Sequence, residues 1–211
     1  MLPVIKNEYD RVVDAFNVEK KSFGKRRDSI NSVTFSSINW SSAYLDFYPY
    51  SSATNQLKPA TIYKEEKPAS IKNCYLEGEL VFACHSENEN WGTVFIDYGI
   101  NSKKWMLFSE NDDEEMVLRQ LKIACFENNK YVKVVSYLND EDAEEETLTI
   151  DLFEYGSDNQ ISKIKRCGFF EEATNLLHVR EMNFLYNGNK VQIYEKDKQG
   201  KEQLIYNGKI H

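Results

Sequence analysis

Residues 131–155 read YVKVVSYLNDEDAEEETLTIDLFEY. Two runs rich in β-branched and aromatic residues, 131–138 and 147–155, flank a link made almost entirely of carboxylates. Side chains on an extended chain alternate between two faces, so a period-two pattern interrupted by a short polar link reads as two antiparallel strands joined by a hairpin. A helix would need apolar residues recurring every three to four positions, and neither run supplies them.

The same pattern extends in both directions. LVFACH (80–85), GTVFIDYG (92–99) and KKWMLF (103–108) precede the hairpin, and QISKIKRCGF (160–169), VREMNFLY (179–186), KVQIYE (190–195) and EQLIY (202–206) follow it. EEMVLRQLKIACF (114–126) is ambiguous, because Leu118, Leu121 and Ala124 also fit a helical face. Asn187-Gly188 lies between two apolar alternations, where both residues tolerate the positive φ of a tight hairpin turn. Tyr-Asn-Gly recurs at 206–208 as a weak internal repeat. Consecutive hairpins place sequence neighbours side by side. The expectation is a single mainly β domain over 1–211, an antiparallel meander over about 79–206 closing into a barrel or a two-sheet sandwich.

Before the sheet the period changes. Ile5, Tyr9, Val12, Val13 and Phe16 recur at helical spacing, predicting one amphipathic helix over about 4–18, with Gly24 limiting its length. YLDFYPY (44–50) alternates imperfectly and reads as an N-terminal strand, whose aromatic residues could serve as interface anchors. Residues 49–70 hold three of the four prolines and read as a polar connector.

The chain carries 26 Lys and Arg against 34 Asp and Glu, a net charge of −8. Residues 1–70 are slightly basic, so the remainder is strongly acidic. An acidic body repels nucleic acid and anionic membrane and attracts basic surfaces. The N-terminal MLPVIKNEYDRVV lacks the apolar core of a secretory signal, and no apolar run is long enough for a membrane helix, so a cytoplasmic location is expected. Cys74, Cys84, Cys125 and Cys167 are then expected as reduced thiols.

Catalytic and metal signatures are weak. The acidic runs ENDDEE (110–115) and DEDAEEE (140–146) lack the glycine that a calcium-binding EF-hand loop needs. Cys84 and His85 are adjacent, so on a strand they diverge, and Cys74 alone does not complete a zinc set. Ser22 and Lys25 have Ser-x-x-Lys spacing without the companion motifs. A Ser or Cys nucleophile would have to recruit His85 or His178, since the third histidine is His211. The Gly-x-Trp signature of lipocalins is missing, because Trp91 precedes Gly92. The cluster Lys20, Lys21, Lys25, Arg26 and Arg27 is read as a solvated helix end. No cofactor or metal is expected.

The functional expectation is a non-catalytic binding protein that covers a basic protein partner with an acidic surface, in the manner of antitoxin-like immunity proteins. Asp112, Asp113 and Glu114 of one acidic run and Asp140, Asp142, Glu144 and Glu145 of the other are the candidate contact residues. A meander sends alternate turns to the same end, so the two runs should meet there. The alternatives are a β-barrel holding a small apolar ligand and a hydrolase with a dispersed carboxylate site.

Overall fold

The computed structural model describes residues 3–170, 179–196 and 199–209. Helix α1 (Pro3–Glu19) and helix α2 (Phe23–Asn31) come first. Strand β1 (Ser37–Ser41), the short helix α3 (Ser51–Thr54) and strand β2 (Ile62–Tyr63) follow. The remaining strands are β3 (Ile71–Leu76), β4 (Glu79–His85), β5 (Thr93–Tyr98), β6 (Ser102–Glu110), β7 (Met116–Glu127), β8 (Lys130–Asp140), β9 (Glu145–Tyr155), β10 (Ile161–Phe170), β11 (Arg180–Asn187), β12 (Lys190–Lys196) and β13 (Glu202–Lys209).

All thirteen strands belong to one antiparallel sheet, ordered β13 through β3 without interruption and ending β3-β1-β2. The mainly β class, the meander and the N-terminal helix therefore stand as expected. The barrel and the two separate sheets do not: all these strands share one sheet, β13 pairs with β12, β2 pairs with β1, and among the described residues the two edges do not pair with each other. Residues 116–126 of the ambiguous segment belong to a strand rather than a helix, because β7 pairs with β6 from Met116 to Cys125 and with β8 from Gln120 to Glu127. Its apolar residues line both faces of the sheet, which produces the helix-like spacing.

The sheet has a separate core on each face. On one, Ile5, Val12 and Phe16 of α1 pack with Phe82, Phe95, Phe108, Leu121 and Tyr137. This helix face also takes Phe23 of α2, whose ring meets those of Phe95 and Phe108. Helix α2 was not foreseen. It begins at Phe23 with Gly24 as its second residue, so that glycine does not stop the helical region.

The other face is covered by residues 44–56, which we call the plug. YLDFYPY is not a strand: Tyr50 has φ of 63° and introduces α3, and the Asp46 carboxylate accepts hydrogen bonds from the Ser52 amide at 3.0 Å. The segment is thus folded back on itself. It nevertheless meets β6 through Lys103 on the Phe47 ring, β9 through Tyr48 on Phe153, and β11 through Tyr50 on Phe184. Strands β6 to β11 would span roughly 24 Å in a flat sheet at ~4.8 Å per strand. The sheet therefore curls around the plug. The expected connector at 49–70 divides accordingly: Tyr50, Ser51, Ala53 and Thr54 are buried, while 55–69 run mostly exposed.

Candidate functional site

The turns at 111–115 and 141–144 lie at the same end of the sheet, as the meander requires, and a buried arginine ties their strands together. Arg119 of β7 donates to Ser109 Oγ at 3.0 Å and to the Glu110 carbonyl at 3.1 Å on β6. Its Nη1 donates to Asp140 Oδ1 at 2.6 Å, and its Nη2 donates to Asp142. Charge-assisted bonds of this kind are the strong members of their class.

The acidic residues are consequently of two sorts. Asp140 and Asp142 face inward onto Arg119, and the Asp140 carboxylate also accepts from the amides of Asp142 and Ala143. Glu141 pairs with Lys20 at 2.5 Å, and Glu146 accepts from Tyr137 at 2.7 Å and Tyr9 at 2.9 Å. Those carboxylates hold the turn against the body and α1. Asp112, Asp113, Glu114 and Glu144 are exposed and belong to no ion pair among the described residues. Asn111 fixes their backbone in the first turn, its side chain accepting from the Asp113 amide at 3.1 Å and the Glu115 amide at 2.7 Å. Glu145 is half-buried and turned toward Thr147, so it stands apart from the exposed set.

A third loop, 86–92, reaches the same end. Asn90 donates to Glu110 at 3.1 Å, and Trp91 beside it is 60% exposed, resting on the His85 ring. Arg119 and Trp91 both escaped the sequence reading. Two acidic runs flanking a pair of strands with one internal arginine is a recoverable signal for Arg119. Nothing local distinguishes Trp91 from a core tryptophan.

The remaining sequence candidates resolve as packing. Cys84 is buried in the helix-face core, where burial, with Glu89 alongside, pushes its thiol up to about 12. All four cysteines are free thiols. Ser22 Oγ accepts from Arg26 Nε at 2.9 Å rather than facing Lys25. Arg26 also grips Glu19 at 2.8 Å and Asp97 at 2.8 Å, and Arg27 pairs with Glu89, so much of the basic segment is neutralised by the acidic body. Burial works against a charged Glu19, but Arg26 and Lys104 hold its carboxyl below the usual range. His178 and His211 lie outside the described residues. Among the described residues no group of three His, Cys, Asp or Glu is arranged to hold a metal ion, and no helix is long and apolar enough to cross a membrane. Comparison with protein families, curated proteins and solved structures finds no match to this chain.

Proposed function

We propose that the protein is a non-catalytic binder that engages a basic protein surface with the acidic end of its sheet. The observation that carries this reading is the convergence there of both acidic turns and the exposed Trp91. Exposed carboxylates steer a basic partner into encounter, and the effect weakens as salt shortens the screening length. The turns are fixed by Asn111 and Arg119 before any partner arrives, which lowers the ordering cost of association. Tryptophan is the residue type most often found to dominate interface energy, and Trp91 is exposed in the loop whose Asn90 reaches Glu110. An immunity-type role, covering a basic toxin or nuclease, fits this chemistry. The apolar-ligand barrel loses its basis with the open sheet.

The test uses a basic protein encoded beside this chain as the candidate partner, with binding kinetics measured across salt. Replacing Asp112, Asp113, Glu114 and Glu144 with Asn or Gln is expected to slow association about tenfold at low salt and little at high salt. Trp91→Ala is expected to quicken dissociation. An association rate unchanged by the four neutralisations would refute the proposal.

A further inference from the structure

Under the plug, the sheet carries polar side chains where a sealed core would be apolar. Paired residues on adjacent strands share a face. Lys122 of β7 pairs with Ser136 of β8, and Ser136 pairs with Thr149 of β9, giving a polar row across three strands. The next row toward the acidic end is Gln120, Leu138 and Thr147. These rows, Arg166 of β10, and Tyr48 and Asn55 of the plug line a half-open cavity of about 270 Å³.

Among the described residues lining the cavity, one cation is uncommitted. Arg166 is fully engaged, donating to both oxygens of Asp151 at 2.6 and 2.8 Å and to Asn55 at 2.6 Å. Lys122 makes no ion pair and no hydrogen bond among the described residues; its ammonium rests over the Trp105 ring at 4.1 Å. The Thr149 hydroxyl is likewise without a hydrogen-bond partner among the described residues, and Ser136 Oγ accepts from Gln120 at 3.1 Å, leaving its proton free to donate. Three donors thus stand on adjacent strands, with roughly 10 Å between the outer two backbones. All three residues are half-buried and line the same cavity, so donors without a full set of partners converge on one open space, which points to an occupant.

We propose that this cavity binds a small oxyanion, the carboxylate or phosphoryl group of a compact polar molecule, held by Lys122, Ser136 and Thr149. The volume suits a compact group, one displacing roughly nine waters. Glu145 lies four residues along β9 from Thr149, roughly 13 Å toward the mouth, where it disfavours a second negative charge on the ligand. Burial brings the Lys122 ammonium down to about 8, with Asp46 of the plug opposing the effect and Arg166 adding to it. A bound anion restores the charged form, so binding should take up a proton near that pH and weaken above it.

The experiment titrates the full chain with inorganic phosphate in one arm and lactate in the other, against sodium chloride at matched ionic strength. Nuclear magnetic resonance follows the Lys122 side chain and the Ser136 and Thr149 amides. At least one anion is expected to saturate these shifts, to raise the Lys122 titration point, and to bind about tenfold more weakly to Lys122→Met. Thr149→Val, a near-isosteric change, is expected to weaken it severalfold. The arm that saturates identifies phosphoryl or carboxylate as the preferred group. If neither anion differs from chloride, or if Lys122→Met and Thr149→Val respond as the unaltered protein does, the proposal is overturned.

Discussion

A lysine held over a tryptophan ring without a counter-ion reduces stability at neutral pH, and the sign can be worked out. Lys122 titrates near 8 in the folded chain against 10.5 ordinarily. Between those values the unfolded chain keeps a proton that the folded chain has shed, so this group makes stability rise with pH across that window. Lys122→Met removes the charge and keeps a flexible apolar contact with Trp105. The variant is expected to be more stable than the unaltered protein by about 1–3 kcal/mol at pH 7, with the gap closing toward pH 10. Denaturant unfolding of both proteins at the two pH values checks it; the buried thiols and tyrosines titrate in both and cancel. A variant less stable at pH 7 contradicts the assignment. Lys122, Ser136 and Thr149 were hidden in the sequence for a simple reason. In TLTIDLFEY, Leu148 and Ile150 alternate with Thr147, Thr149 and Asp151, and that alternation ordinarily marks the polar side as solvent-facing. Here the polar side lies under the plug.

At the scale of elements, the hairpin of β8 and β9 was legible from period-two alternation, and so were the strands on either side of it. Helix α1 was legible from its apolar spacing. What failed were the pieces whose conformation is set by distant contacts. The plug has aromatic residues without a period, because its side chains reach several strands rather than one surface. Helix α2 has no buried residue of its own and is held by Arg26 and by the edge contacts of Phe23, none of which has a local signature. The acidic turn was visible as charge but not as structure. Asp140→Asn with Asp142→Asn leaves Arg119 buried with its strongest acceptors weakened. This pair is expected to cost about 1–3 kcal/mol and to speed amide exchange in 139–146. Neutralising Asp112, Asp113, Glu114 and Glu144 should leave both quantities unchanged. Equal effects from the two sets would contradict the division into inward and outward carboxylates.

At the scale of the molecule, thirteen strands in one sheet leave two large apolar faces, and each has its own cover. Removing the helix-face cover would expose Phe95, Phe108 and Tyr137; removing the plug would expose Phe153, Met182 and Phe184. Tyr50→Ala takes one buried ring out of the plug, where it contacts Phe184 at 5.3 Å between centroids. The loss is expected to be about 3–4 kcal/mol. Because the plug joins strands on both sides of the curl, exchange protection should fall in β6 and β11 together. Loss confined to β11 would mean that the plug does not hold the curl.

The plug also imposes an order of events on synthesis. Residues 44–56 leave the ribosome early, yet Gln56 meets Glu195 on β12, which emerges roughly 140 residues later. At about 5–20 residues per second that delay is roughly 7–28 s. Throughout it, Phe47, Tyr48 and Tyr50 have no completed sheet to enter. Each growing hairpin offers a partial seat, so the nascent chain must either shelter this aromatic segment on a provisional surface or hand it to a chaperone. Ribosome-stalled chains ending before β11 should therefore be protease-sensitive at 44–56, and chains extended past β12 should resist.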